Sequence, residues 1–125
     1  MWGAGTMKQI LLIDDDPLEY MYVSYLVKDR YGEGCKLGHV QDMTNAKEYL
    51  SNNRVDLILL DDRLEGGLTS VDTIPQLQRM AFNVPVIVIS KNASSRHLET
   101  IAKLNGNAVI DKFELRKALS DGVLD

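Results

Sequence analysis

The chain has 125 residues, 45% hydrophobic and 26% charged, with a formal net charge of −4; that is the size and balance of one globular domain. A pI of about 5.1 leaves no broad basic field to attract nucleic acid or anionic lipid, and the short apolar runs fall far below membrane-span length. The single cysteine, Cys35, cannot make an internal disulfide and fits a reducing cytoplasm.

Residues 1–6 lack a basic n-region and an apolar h-region, so they read as a disordered arm or vector-derived remnant rather than a secretory signal. Ile10-Leu11-Leu12-Ile13, ended at once by Asp14-Asp15-Asp16-Pro17, suits a strand buried on both faces of a parallel sheet. Asp16 can cap the following helix with Pro17 at its first position. Leu18, Met21, Tyr22, Tyr25 and Leu26 recur at helical spacing and predict its apolar stripe, which Tyr31-Gly32-Glu33-Gly34 breaks. Leu37 to Val40 is a weaker strand candidate. Thr44 is a candidate cap for a short helix with Ala46, Tyr49 and Leu50 inward.

Val55 to Leu60 predicts a further buried strand, ending in Asp61-Asp62. Arg63 to Asp72, with Gly66-Gly67, reads as a long loop. Pro75 belongs in a first helical turn, so the next helix is expected to begin near Asp72 or Thr73. Pro85 to Ile89 is β-branched and apolar, a strand closing at Ser90. Leu98, Ile101 and Ala102 mark another helix, stopped by Gly106. Ala108-Val109-Ile110 is a last strand ending at Asp111-Lys112, and Glu114 to Leu119 a last helix. Strands alternating with helices imply a single doubly wound α/β domain with a five-stranded parallel sheet.

In such a sheet, ligands bind outside the carboxyl ends of the strands. Asp14 and Asp15, Asp61, Ser90 and Lys112 all stand at such ends, far apart in sequence yet brought to one rim by the fold. Three gathered carboxylates repel one another, and a hard cation such as Mg²⁺ relieves that conflict through oxygen ligation. An aspartate beside Mg²⁺ can attack a phosphoryl group, while Lys112 and Ser90 are available to hold the transferred oxygens.

The segments ILLIDDDP, DLILLDDRLEGG, VPVIVISKN and AVIDK resemble, in order and interval, the landmark segments of receiver domains of two-component response regulators. The resemblance runs from about Lys8 to the last helix, and makes residues 7–125 one receiver domain with the flavodoxin-like (βα)5 fold. It implies Asp61 as phosphoacceptor, Asp14 and Asp15 as the acidic metal pair with Asp61, and Arg63 as a metal ligand through its backbone carbonyl. Ser90 is then the switch hydroxyl and Lys112 the phosphate-pairing lysine. Mg²⁺ is the implied cofactor, and a sensor histidine kinase or phosphotransfer protein the implied donor, in the cytoplasm and without direct nucleic-acid or membrane binding. The domain is expected to act as a switch rather than as an enzyme with a separate substrate.

Several residues depart from the family pattern. Phe113 follows Lys112 where proline is usual, so the loop is expected to be less rigid or differently shaped. Val109 stands where an aromatic residue commonly couples to the hydroxyl, which argues against an aromatic rotamer switch. Lys91 replaces a small residue, Glu65 a common proline, and Asp62 adds a carboxylate expected to be a solvated neighbour of Asp61. Lys91, Asp62 and Val109 are therefore candidate modulators. Two other readings stay open. One is a pseudo-receiver that keeps the fold for protein interaction without phosphorylation. The other is a small haloacid dehalogenase-like phosphatase using the D-x-D spacing of Asp14 and Asp16. His39 and His97 lack metal-ligand spacing, and Cys35 has no base near it, so all three are expected to be non-functional. Tyr22, Tyr25 and Tyr49 are expected to serve packing. After the last helix no DNA-binding output segment is expected, so the domain acts alone through a partner or as part of a longer regulator.

Overall fold

The computed structural model describes residues 7–81, 83–91, 98 and 108–123. Five parallel strands form the sheet: β1 (Lys8–Ile13), β2 (Cys35–Val40), β3 (Leu57–Asp61), β6 (Val86–Ser90) and β7 (Ala108–Asp111), in the order β2-β1-β3-β6-β7. Between β3 and the helix after it lies a small antiparallel hairpin of β4 (Arg63–Leu64) and β5 (Leu68–Thr69). The helices are α1 (Pro17–Tyr31), α2 (Met43–Asn52), α3 (Ser70–Met80) and α4 (Leu115–Ser120). The expected arm at 1–6 and most of the helix expected around Leu98 to Gly106 lie outside the described residues, as does His97.

The alternation of side chains along each strand divides the core in two. Leu11, Ile13, Ile58, Leu60, Val86 and Val88 pack with Met43 and Ala46 of α2, Ile74 and Leu77 of α3, and Leu98. Ile10, Leu12, Leu57, Leu59, Ile87, Ile89 and Ile110 pack with Val23, Leu26 and Val27 of α1 and Leu115 and Leu119 of α4. The central strands are buried on both faces, which is why they read as continuous apolar runs. Order reverses beside β1: the chain steps outward to β2 and returns to β3 on the other side, opening a crevice at the carboxyl ends of β1 and β3.

Four local expectations need correction. The buried face of α1 is Val23, Leu26 and Val27; of the predicted stripe, Leu18, Met21, Tyr22 and Tyr25 are exposed, Leu18 at 71%. The helix has apolar residues on more than one face, and spacing alone does not say which meets the sheet. Helix α2 starts one residue before Thr44 and is capped by Asp42, whose carboxylate accepts the Asn45 amide at 2.8 Å. Helix α3 starts at Ser70, because the Asp72 carboxylate accepts the Thr69 amide at 3.0 Å and closes the helix entrance there. Pro75 thus falls in the second turn. The expected loop from Arg63 is the β4–β5 hairpin, in which Arg63 pairs with Thr69 and Leu64 with Leu68. Its turn needs two residues with positive φ, supplied by Gly66 (83°) and Gly67 (78°).

Candidate functional site

The same two-residue alternation that sorts the core also aims the acids. Asp61 follows Leu57 and Leu59 toward the α1 and α4 side, and Asp62 follows Ile58 and Leu60 toward the α2 and α3 side. The Asp62 amide donates to the Ile89 carbonyl at 3.0 Å, so sheet pairing continues past the end of β3 and holds both residues rigidly. Across the crevice, the Asp14 amide donates to the Val40 carbonyl at 3.0 Å and extends β1 in the same way.

A cleft of about 250 Å³ opens at this rim, lined by Asp14, Asp15, Asp16, Asp61, Asp62, Arg63, Ser90, Lys91 and Lys112. Asp14, Asp15 and Asp61 each offer a carboxylate oxygen within 4.8 Å of the others. Lys112, 8% exposed, is the cation among them. Its Nζ stands 3.1 Å from Asp61 Oδ1, 3.6 Å from Asp14 Oδ2 and 3.6 Å from Glu19 Oε1. Ser90 is buried at the end of β6. A larger groove between β2 and α2, about 490 Å³, is lined largely by amides such as Asn45, Asn52 and Asn53 and gathers no comparable set of titratable groups.

Burial dominates the electrostatics. Asp14 is fully buried, and desolvation pushes its pKa up to about 6. The Asp16 amide, donating to Asp14 Oδ1 at 2.9 Å, and the Lys112 ammonium oppose that rise, whereas the Asp61 carboxylate adds to it. Asp61 is also raised by burial, against the pull of Lys112 and the Arg63 amide. For Lys112, burial works downward, but the carboxylates of Asp61, Asp14 and Glu19 outweigh it and its pKa rises. Asp14 Oδ2 is buried without a hydrogen-bond partner. A buried anionic oxygen so placed, beside two more carboxylates, is the donor set a hard divalent cation requires.

The remaining candidates fall out as follows. Asp16 accepts the Leu18 amide at 2.9 Å and caps α1, so the D-x-D spacing does not form a pair of free carboxylates. Asp62, expected to be solvated, is 2% exposed and accepts the Ser70 hydroxyl at 2.6 Å. Its alternation toward α3 makes it a tie between β3 and that helix. The Arg63 side chain is 71% exposed. Lys91 is exposed at the cleft edge, and Val109 packs against the α2–α3 core in register with Val88. Phe113, unlike a proline, has an amide, and it donates to Asp111 Oδ1 at 2.8 Å; the loop is differently held rather than simply looser. Cys35 opens β2, and burial pushes its thiol up to about 11, away from nucleophilic use.

Two contributors have no sequence signal. His39, at the end of β2, stacks on Tyr20 of α1 with ring centroids 4.6 Å apart. Its Nε2 lies 2.7 Å from the Asp14 carbonyl oxygen; since a carbonyl only accepts, Nε2 carries the hydrogen. His39 therefore braces the backbone that bears Asp14. Glu19 reaches Lys112 from the first turn of α1.

The model of the response regulator receiver domain matches residues 10–123. The chain belongs to that family. No curated protein sequence matches it. Among solved structures, the receiver domain of the Erythrobacter litoralis PhyR response regulator is similar with a TM-score of 0.73 and 24% identity, over 98% of this chain and 94% of that one. The receiver domain of a Pseudomonas aeruginosa sensor histidine kinase, with magnesium coordinated in its active-site cleft, is similar with a TM-score of 0.69 and 22% identity, over 96% of this chain and all (100%) of that one. The Salmonella typhimurium RcsB response regulator, described for its interaction with DNA, gives a TM-score of 0.81 at 15% identity; the match covers 95% of this chain but 59% of that one. These likenesses establish the flavodoxin-like receiver fold. No helix among the described residues is long and apolar enough to cross a membrane.

Proposed function

We propose that residues 7–125 form a phospho-accepting receiver domain of a two-component system, with Asp61 as the acceptor. The observation that carries the reading is the Lys112 ammonium 3.1 Å from Asp61 Oδ1, inside a cluster of three carboxylates that includes the buried Asp14 Oδ2, which has no hydrogen bond. Asp14, Asp15 and Asp61, with the Arg63 carbonyl, would hold Mg²⁺, which when bound offsets negative charge on the transferring oxygens. One Asp61 carboxylate oxygen forms a bond to phosphorus as the phosphorus–nitrogen bond of a phosphohistidine donor breaks, and the imidazole nitrogen leaves with the electron pair. Lys112 then pairs with the new phosphoryl oxygens, and Ser90 donates its hydroxyl to one of them. The donor is a sensor histidine kinase or phosphotransfer protein, met in the cytoplasm. Exposed Leu18, Met21 and Tyr22 on α1 and Phe113 beside Lys112 offer it an apolar landing area next to the cleft.

The test is incubation with acetyl phosphate with and without Mg²⁺. The expected result is Mg²⁺-dependent uptake of one phosphoryl group, lost in Asp61→Asn with the fold unchanged by circular dichroism. A folded chain that takes up no phosphate in Mg²⁺ points instead to a pseudo-receiver, an outcome consistent with the departures at Lys91, Val109 and Phe113.

A further inference from the structure

Glu19 is a carboxylate at Lys112 for which phosphoryl transfer has no use. Its Oε1 stands as far from Nζ as Asp14 Oδ2 does, 3.6 Å in each case, and its side chain is 16% exposed. Glu19 does not line the acidic cleft. It lines a second, mainly apolar hollow of about 360 Å³ with Leu18, Tyr22, Lys91 and Phe113. Lys91 and Lys112 line both spaces, and of the two Lys112 is the one whose ammonium stands between Asp61 on one side and Glu19 on the other.

We infer that Glu19 is a positioning residue that competes with the phosphoryl group for Lys112 and thereby sets how strongly Asp61 holds it. The inference rests on the phosphoacceptor reading. An ammonium has three donors, and here they face three carboxylates. A phosphoryl group on Asp61 brings further negative charge and three strong acceptor oxygens into the cleft. Glu19 projects from the first turn of α1 and lines the second hollow rather than the cleft, so it draws the ammonium from the side away from the phosphoryl group. Its attraction therefore favours the resting arrangement over the loaded one, and neutralising it shifts the balance toward loading. The same change leaves Lys112 freer to pair with Asp61 and Asp14 in the resting state, so it opposes a cation there. Loss of the Glu19 charge thus strengthens anion binding and slightly weakens cation binding, whereas general damage to the site weakens both.

Beryllofluoride, a stable phosphoryl mimic, tests this by ¹⁹F NMR titration in saturating Mg²⁺, with Mg²⁺ affinity measured separately by calorimetry. Glu19→Gln is expected to bind beryllofluoride about three- to tenfold more tightly, with Mg²⁺ affinity unchanged or lower, as fits one partly buried ion pair. Glu114→Gln removes a charge from an exposed residue two positions from Lys112 and is expected to change either affinity by less than about twofold. Unchanged or weaker beryllofluoride binding in Glu19→Gln, or an equal gain in Glu114→Gln, overturns the inference while leaving the acceptor reading standing. Absence of beryllofluoride binding in the unsubstituted chain overturns the acceptor reading, and this inference with it.

Discussion

Strand β3 and the residue after it contain two opposite kinds of burial. Ile58, Leu59 and Leu60 are fully buried apolar side chains, while Asp61 and Asp62, next in the chain, are carboxylates exposed by only 8% and 2%. Burial of the first group stabilises the fold directly, each side chain by about 1.5–3 kcal/mol. Burial of the second costs free energy unless partners arrive from elsewhere, and they do: Lys112 from beyond β7 for Asp61, Ser70 from the start of α3 for Asp62. The strand body is thus stable by its own composition, and its tip only by long-range assembly. The acidic cleft, and with it the proposed phosphoacceptor site, is built from the second kind.

The comparison is open to breaking, beginning with the strand body. Leu59→Ala is expected to lower the unfolding free energy by about 2–5 kcal/mol in chemical denaturation, the cost of an unfilled cavity in a closed core. A loss below about 1 kcal/mol would show that the body is not closely packed. At the rim, the raised Asp14 pKa makes stability depend on pH in a definite sense. The folded state binds this proton at about 6 and the unfolded state at about 3.8, so the contribution is fully present below pH 4 and is lost as pH rises through 6. In metal-free buffer that loss amounts to about 3 kcal/mol. Asp14→Asn should remove it, and an unchanged pH slope in that variant contradicts the assignment of the shift to Asp14.

Ser70→Ala is expected to cost about 1–3 kcal/mol, since it removes a hydroxyl donor from a buried carboxylate. If the variant is as stable as the parent, Asp62 is not the tie between β3 and α3. The smallest effect is that of the cation itself. Mg²⁺ at ten times its Kd should stabilise the domain by about 1.4 kcal/mol, read as a rise in Tm that disappears in Asp15→Asn.

How much of this was readable from the residues follows the same division. The strand bodies announce themselves because two-sided burial produces uninterrupted apolar runs, and a parallel sheet brings their carboxyl ends to one rim whatever the loops do. Asp14, Asp15, Asp61, Ser90 and Lys112 line one cleft for that reason. Helix α1 misled because Leu18, Met21, Tyr22 and Tyr25 obey helical spacing as well as Val23, Leu26 and Val27 do, and only the second set meets the sheet. Asp62 seemed solvated because nothing local discloses that Ser70 lies under it. Glu19 and His39 stayed hidden for a related reason: their partners, Lys112 and the Asp14 carbonyl, are fixed by packing across α1 and β2 rather than by spacing along the chain.

The most direct test of the central claim is the position of the phosphate. After loading with acetyl phosphate and Mg²⁺, borohydride reduction converts an aspartyl phosphate to homoserine, and peptide mass spectrometry then reads which residue was modified. Conversion at position 61, absent without Mg²⁺, is the predicted result. Conversion at Asp62 or Asp14 with Asp61 untouched would contradict it.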